Sequence, residues 1–442
     1  VRRPAPAEVL SGLPDASAEL VRRLLGAADA RSDSVFLVGG PVRDWLLGRG
    51  LRDVDLLVEP RGEQGAVELA RAVAGPGLRV SAHDRFGTVT LRSEQAAIDL
   101  ATARSESYAH EGALPRVRPA ALEQDLRRRD FTVNALALPL SARARAGRAG
   151  LVDVADGRGD LQRRRLRILH PRSFHDDPTR ALRAARLAPR LGFSLARGTR
   201  SALRGALRDG AFGRVSGDRL RRELVKLFED AQAGLDPATA LRLLDEWHVL
   251  AALEPGLGLD RSAAAPLRRL GRSIAAPPWS APRWRPWLSG LAVWLAPLAP
   301  ALRRRALRRF AVRGEVAARL ADFPRQRDGW LRALGRARGR GAVDAVLVGS
   351  DEERLHALHA WAPPAMRRRV ARWAAEDRSR RPPVSGHDLV GLGLSGPAVG
   401  RALRRIRSAF LDGALSSREE ALALARELSR GRVVRPKTQR RR

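Results

Sequence analysis

The stretch from Phe36 to Glu59, FLVGGPVRDWLLGRGLRDVDLLVE, constrains the fold more than any other part of the chain. Val35–Val38 is short, apolar and rich in β-branched residues, the pattern of a buried strand. Gly39 and Gly40 break it. A helix-like segment, Val42–Leu47, follows and closes at Gly48. A second short strand, Val54–Val58, then carries Asp53 at its mouth and Asp55 one pleat further on. Side chains at i and i+2 of a strand share a face, so two carboxylates stand side by side near a Gly-Gly turn. Adjacent carboxylates repel unless a cation lies between them. A hard divalent ion such as Mg²⁺ takes such oxygens and completes its shell with phosphates. Glycines let backbone amides approach those phosphates at a helix N-terminus.

Charge points to the partner. The 442 residues hold 82 Lys and Arg against 48 Asp and Glu, a formal net charge of +34. Only Lys226 and Lys437 are lysines. A GC-rich genome produces Arg in place of Lys, but accounts less well for the excess of bases over acids. That excess predicts a polyanionic partner. There is no cysteine, which removes disulfides, thiol nucleophiles and Cys-ligated zinc. The start, VRRPAPAEVL, has charge with no apolar core behind it, and Trp287–Leu298 is Pro-interrupted and too short to span a bilayer. A soluble, cytoplasmic protein with no membrane contact is expected. Nothing in the sequence fixes an oligomeric state.

Along the chain, one helix is expected at Ser17–Ala28 and another at Glu63–Val73, then strands at Thr88–Leu91 and Ala97–Leu100. Asp99 lies between Ile98 and Leu100 and faces away from both. It stands open between a third metal ligand and an outward polar residue. Beyond about residue 160 the pattern is helical. Leu182–Leu191, Leu220–Leu227 and Ala240–Leu250 carry apolar residues at helical spacing with Arg on the other faces. Breaks at Ala275–Pro278 and Pro382–Pro383 mark linkers. Trp279, Trp284, Trp287 and Trp294 read as core residues rather than a base-stacking platform. Arg435–Arg442 reads as a basic, disordered end.

The pattern GGxVRDxLLGR…DxD resembles motif A of the class II nucleotidyltransferases, the CCA-adding tRNA nucleotidyltransferases and bacterial poly(A) polymerases. AIDLATARSESY (Ala97–Tyr108) resembles their third-carboxylate strand. EQDLRRRDFTVNALAL (Glu123–Leu138) resembles their motif B, with Arg128, Arg129, Asp130 and Asn134 in place. FHDDPTRALRAARLAPRLGF (Phe174–Phe193) resembles the EDxxR motif, in which a helix serves as protein template for the incoming base. Asp177, Arg180, Arg183 and Arg186 follow at steps of three, a slanted stripe on one side of that helix. Asp176 stands where the family often has Glu. LVDVADGRGDLQRRRLRIL resembles the hinge, with Asp153, Gly157 and Asp160. VSGDRLRRELVKLF (Val215–Phe228) resembles a later neck helix, and PVSGHDLVGLGLSGPAVGRAL (Pro383–Leu403) the tail that grips tRNA, followed by Arg401, Arg404 and Arg405. A metal-hydrolase reading of His387-Asp388 fails, because no second His/Asp pair stands at useful spacing.

The resemblance implies an α/β plus all-α fold: a nucleotidyltransferase head with a small sheet, polymerase-β-like, then helical neck, body and tail. The expected partition is 1–30 as an N-terminal segment, 31–158 as head, 159–232 as neck, 233–380 as body and 381–442 as tail. The implied reaction moves nucleotides from CTP and ATP to the 3′ hydroxyl of a tRNA acceptor end and releases pyrophosphate. Mg²⁺ would be held by Asp53 and Asp55, with Asp99 as a further catalytic carboxylate. Gly39, Gly40 and Arg43 would cradle phosphates. Arg128, Arg129, Asp130 and Asn134 would hold ribose and phosphate. Asp177 and Arg180, followed by Arg183 and Arg186, would read the base. Poly(A) synthesis, addition of CC or A alone, and non-enzymatic RNA binding stay open beside it. The loop near His83–Gly87 bears on which subtype this is.

Overall fold

The computed structural model describes residues 6–51, 53–60, 65–83, 87–107, 116–148, 150–279 and 284–430. Most of the His83–Gly87 loop, Tyr108 and the Arg435–Arg442 end lie outside them. The chain divides into two compact units, Val1–Glu223 with Leu243–Pro255, and Leu224–Arg242 with Gly256–Arg442. The expected five segments are finer than this division.

The first unit is built on a seven-stranded mixed sheet. In chain order its strands are β1 (Ser34–Val38), β2 (Asp55–Glu59), β3 (Arg79–His83), β4 (Thr88–Arg92) and β5 (Ala97–Thr102). A separate two-stranded ribbon follows, β6 (Arg104–Ser107) and β7 (Arg116–Pro119). The main sheet then gains β8 (Leu136–Pro139) and β9 (Val152–Asp153), giving the order β3-β4-β5-β2-β1-β8-β9. Within this sheet, among the described residues, only β2 and β5 pair in parallel. Their register sets Asp55 opposite Asp99. Leu56, Leu57 and Val58 are all buried, as a central strand covered on both faces requires. One face packs with Leu122, Leu126 and Ala135.

Among the described residues, ten helices accompany these strands in the chain up to Glu229. They are α1 (Pro6–Ser11), α2 (Asp15–Arg31), α3 (Gly40–Leu46), α4 (Ala66–Ala72), α5 (Leu122–Arg127), α6 (Gly157–Gln162), α7 (Ser173–Asp176), α8 (Thr179–Leu191), α9 (Arg197–Arg208) and α10 (Gly217–Glu229); α10 runs across the division into the second unit. The hinge residues work locally. Asp153 accepts from the amides of Gly157 (2.8 Å) and Arg158 (2.9 Å) and so closes the start of α6. Asp160 is buried and accepts from Thr132 Oγ1 (2.6 Å) and Arg167 Nε (2.8 Å). Only a glycine fits at 157, because a Cβ there would lie 2.3 Å from the Thr132 carbonyl oxygen.

Two expectations change. The helix expected at Ala240–Leu250 is two helices, Pro237–Glu246 and Val249–Leu253. His248 separates them with φ +60°, a left-handed conformation that ends the hydrogen-bonding run. The helix expected from Glu63 begins instead at Ala66, after Gly65.

The second unit is helical. Its apolar centre includes Pro286–Leu295, nine of whose ten residues are buried. Trp279, Trp284 and Trp294 are buried as expected of core residues. Near its end, Gly386–Gly391, Pro397–Leu411 and Arg418–Arg430 enclose a small core of Leu389, Leu394, Ile406 and Ala421. Asp388 accepts from the Ser385 amide at 2.7 Å as part of a capping box, a structural use that agrees with rejecting a hydrolase centre there. Arg401, Arg404 and Arg405 are exposed. Among the described residues no helix is long and apolar enough to cross a membrane.

Candidate active site

Strand pairing gathers the carboxylates. Asp55 opens β2, Asp53 precedes it on exposed chain, and parallel pairing with β5 brings Asp99 alongside. Thr90 Oγ1, on β4, donates to Asp99 Oδ1 at 2.7 Å. Burial pushes the Asp55 carboxyl up to about 6, and the negative charges of Asp99 and Asp53 push the same way. Arg129 and Arg43 pull against them without prevailing. Three acids at one sheet mouth, one held against ionisation, form a donor set suited to a hard divalent cation. Among the described residues no three acidic or histidine side chains close on a point tightly enough to enclose a metal by themselves.

The glycine turn admits guanidinium groups. Gly39 takes φ +71°, and a Cβ there would lie 2.8 Å from Arg129 Nη1. A Cβ on Gly40 would lie 3.6 Å from Arg43 Nη2. The pair was expected to serve backbone amides at α3; its neighbours in the folded chain are two arginine heads. Arg43 is buried. Its Nε donates to Asp44 Oδ1 at 2.8 Å and its Nη1 to Asn134 Oδ1 at 2.6 Å.

Arg128 and Arg129 share one fully buried acid, Asp125, on α5. Arg128 donates through Nε to Asp125 Oδ1 (3.0 Å) and to the Arg104 carbonyl (3.0 Å), and through Nη1 to Glu106 (2.7 Å). Arg129 donates through Nη2 to Asp125 Oδ2 at 3.0 Å. A buried carboxylate bonded to two guanidiniums is the arrangement in which a buried charge is tolerated. Helical spacing explains it, since i+3 and i+4 neighbours share a face.

Asp130 joins this cluster to α8. Its Oδ1 accepts from Asn134 Nδ2 (2.9 Å) and from the Phe131 amide (2.8 Å), and its Oδ2 from Arg183 Nε (2.8 Å). Burial pushes Asp130 up, but Arg183 and the bond from Asn134 outweigh it and hold the carboxyl at about 2. Arg183 is raised in turn, chiefly by Asp130. Arg183 Nη1 lies 3.9 Å from Glu223, which accepts from Arg186 Nη1 at 2.9 Å. A continuous line of alternating donors and acceptors therefore runs Asp44–Arg43–Asn134–Asp130–Arg183–Glu223–Arg186. Asn134 is the adapter: its amide accepts from the Arg43 guanidinium through Oδ1 and donates to the Asp130 carboxylate through Nδ2.

The stripe on α8 is not a solvated face. Arg180 is only 5% exposed. Its Nη2 donates to the Arg128 carbonyl at 2.8 Å and its Nη1 to Ser173 Oγ. Asp177 accepts at Oδ1 from the Thr179 amide (3.0 Å) and Thr179 Oγ1 (2.6 Å), and the same oxygen forms an ion pair with Arg219 at 2.6 Å. Asp177 and Arg180 are thus held by separate partners rather than by each other. Asp176 lies 3.6 Å from His170.

Sequence reasoning passed over Asp125, Arg219 and Glu223. Asp125 could have been found, because an acid three and four residues before two arginines on a helix pairs with both. Arg219 and Glu223 carried no such signal, since their partners lie more than thirty residues away.

Comparison with known proteins now bears on this geometry. The family model of the poly(A) polymerase head domain matches residues 35–167. The A-adding tRNA nucleotidyltransferase of Halalkalibacterium halodurans is 31% identical over 429 residues, 92% of this chain and 92% of that protein. The CC-adding tRNA nucleotidyltransferase of Deinococcus radiodurans is 35% identical over 398 residues, 87% of this chain and 86% of that one. The Thermotoga maritima CCA-adding enzyme, solved in complex with tRNA, superposes with a TM-score of 0.70 at 26% identity and covers 98% of this chain and 100% of that chain. A carboxylate mouth, a buried arginine cluster and likeness along nearly the whole length lead to one family: the chain belongs to the tRNA nucleotidyltransferases of the CCA-adding type.

Proposed function

We propose that this enzyme builds the 3′-terminal CCA of tRNA, or part of it, from CTP and ATP and releases pyrophosphate. The observation that carries the reading is the convergence of Asp53, Asp55 and Asp99 at one sheet mouth, where the charges of Asp99 and Asp53 add to burial in pushing Asp55 up to about 6. Asp53 and Asp55 would hold Mg²⁺, with Asp99 beside them. The ions, when bound, neutralise charge on the attacking 3′-oxygen and on the leaving pyrophosphate, and nucleotidyltransferases use divalent cations in this way.

The chain's own residues do the rest. Arg43 and Arg129 flank the glycine turn and take phosphate oxygens. Arg128 braces Asp125 and so fixes Arg129. Asp130 is ionised and has three donors on its two oxygens, which leaves acceptor capacity for a ribose hydroxyl. That preference favours ribonucleotides. At the base, the hydrogen bonds from Thr179 and the ion pair with Arg219 fall on Asp177 Oδ1, and Oδ2 would accept from an exocyclic amino group. Arg180 commits two of its five N–H groups to Ser173 and Arg128. The remainder serve a ring nitrogen. Cytosine and adenine both offer an amino donor beside a ring acceptor; uracil and guanine offer the reverse. The exposed arginines Arg401, Arg404 and Arg405 contact tRNA phosphates, and a cytoplasmic location fits those substrates.

A second reading is addition of the terminal A alone, favoured by likeness to an A-adding enzyme along 92% of both chains. Labelled CTP and ATP, offered with tRNA ending before CCA, tRNA ending after CC and a poly(A)-type primer, separate these outcomes. Incorporation of both nucleotides into the first tRNA supports CCA addition. Labelling of the CC-ended tRNA by ATP alone selects the second reading, and labelling of the poly(A)-type primer alone overturns both.

A further inference from the structure

We infer that the open face of β3, β4 and β5 seats the acceptor strand of the RNA, with Arg79 and Arg92 gripping a backbone phosphate near its 3′ end. The inference rests on the reading above that Asp53, Asp55 and Asp99 mark where the 3′-oxygen reacts.

The strand registers build this face. Ser81 pairs with Thr90, Thr90 with Asp99, and Asp99 with Asp55. Paired residues share a face, so a polar row crosses four strands from the sheet edge to the acids. One pleat toward the start of β5 lies a second row, in which Arg79 stands opposite Arg92 and Arg92 opposite Ala97. The reverse face is apolar. Val89, Leu91, Ile98 and Leu100 are buried there, and α4 packs against β4 and β5. Arg79, Ser81, Arg92, Ala97 and Asp99 are exposed.

The two arginines are what an occupant must explain. Like charges directly opposite on neighbouring strands destabilise the pairing. Among the described residues no acid stands within ion-pair distance of either arginine. Arg92 sits diagonally from Asp99, at a Cα separation of about 7–8 Å. Two cations without an anion thus border the acidic mouth. An RNA 3′ end suits both groups: its hydroxyl belongs at the acids, and the phosphodiester behind it meets the guanidiniums, which take phosphate oxygens through charge-assisted forks. Ser81, Thr90 and Ala97 have short side chains that let a sugar-phosphate backbone lie close. Thr90 also donates to Asp99 Oδ1 at 2.7 Å and so holds that carboxylate on the row. The nucleotide's triphosphate is the other anion here, but its arginines, Arg43 and Arg129, flank the turn after β1, on the opposite side of β2 from β5. The acids therefore lie between two basic groups, one for the triphosphate and one for the strand. A grip on phosphate places the strand whatever its bases.

The test uses the full chain and tRNA in which one neutral methylphosphonate replaces each of the last four acceptor linkages in turn. KM for tRNA and for the nucleotide is measured, with tRNA affinity by filter retention and thermal melting alongside. In the parent, one linkage near the 3′ end is expected to raise KM for tRNA roughly tenfold when neutralised, the worth of a hydrogen bond to a charged group. Arg79→Gln combined with Arg92→Gln is expected to raise KM for unmodified tRNA by a similar factor, leave KM for the nucleotide unchanged and abolish the penalty at that linkage. A merely structural defect lowers the melting temperature and leaves the linkage pattern intact. If the double variant keeps the parent's pattern, or raises KM for the nucleotide instead, the strand seat is overturned. Asp53→Ala separates this from the reading beneath it. Lost turnover there, with the linkage pattern intact in the double variant, overturns the seat alone; parent-like turnover there overturns both.

Discussion

In the first unit, Asp55 stands beside Asp53 and Asp99 and is pushed up to about 6; in the second, His359 stands near His356 and is pushed down to about 4. Burial is the leading cause in both. The surroundings differ. Asp55 lies partly open at a sheet mouth, with like charges as neighbours. His356 is fully buried, stacked on Trp279 at 4.7 Å and edge-on to Trp284 at 4.8 Å, with its Nε2 2.8 Å from Ser273 Oγ. The histidines act there as flat apolar rings kept neutral, whereas Asp55 is a charge whose burial and acidic neighbours outweigh the pull of Arg129 and Arg43. A perturbed titration marks a site of chemistry only when the geometry also leaves the group facing something it could bind.

The strongest way to test that difference is to remove an acid from the mouth. Asp53→Ala or Asp55→Ala is expected to reduce nucleotidyl transfer on the order of a thousandfold or more, because charge neutralisation at the reacting oxygens is lost. Affinity for tRNA, measured by filter retention, should stay near that of the parent. Normal turnover in either variant at millimolar Mg²⁺ would make these acids as structural as the histidines. Asp125 provides an intermediate case: a charge fully buried, like His356, but paired. Asp125→Ala removes the buried carboxylate that Arg128 and Arg129 share, leaving Arg128 with Glu106 and Arg129 with the Asn134 carbonyl, and is expected to cost about 3–5 kcal/mol in denaturant unfolding. A loss below about 1 kcal/mol would mean that water already screens the pair.

The histidines make a prediction of their own through pH. The folded value for His359 lies near 4, lowered by burial first and then by Arg367 and Arg269; His356 is lowered further, by burial and then by His359. An unfolded histidine titrates near 6.5. Between those values the unfolded chain binds more protons than the folded one, so stability is full above about pH 6.5 and falls as pH drops toward 4. For His359 alone the loss is about 3 kcal/mol. Melting followed by tryptophan fluorescence across that window checks it, and His359→Phe should flatten the slope. An unchanged slope in that variant would assign the acid sensitivity elsewhere.

How much of this was legible in the sequence follows from how far each interaction reaches. Val35–Val38 and Val54–Val58 were readable as strands because each is a short apolar run with local boundaries, the signature of a buried strand. β3 and the β6–β7 ribbon were not, since RVSAH, RSES and RVRP carry polar residues that no apolar period betrays. The carboxylates Asp53 and Asp55 were found from i, i+2 spacing. Asp99 could be placed beside them only once the parallel register of β2 and β5 was known. The stripe on α8 was visible as a spacing of three, yet its chemistry was not: nothing local to Arg180 signals that it bonds to the Arg128 carbonyl fifty-two residues away. The break at His248 was hidden for the opposite reason, because a left-handed residue inside an apolar helical pattern leaves the pattern intact.

The smallest expected effect separates the two regions most sharply, because it has opposite sign in each. If Asp55 is a charge awaiting a partner, then above pH 6 its ionisation opposes folding of the metal-free chain. Its folded value is raised from 3.8 to about 6, so the ionised form is penalised in the fold and not in the unfolded chain. Asp55→Asn keeps the shape and removes the charge. It is expected to stabilise the metal-free protein at pH 7.5 by about 1–2 kcal/mol, after allowance for solvent at a partly open mouth. Mg²⁺ should raise the melting temperature of the parent, since a ligand that binds only the folded state stabilises it, and should have little effect on Asp55→Asn. The matching substitution in the second unit, His356→Asn, removes ring contacts with Trp279 and Trp284 and can only destabilise. Should Asp55→Asn melt lower than the parent without metal, the carboxylate is already satisfied by Arg43 and Arg129, and the contrast between a site that waits for a cation and a core that needs none would collapse.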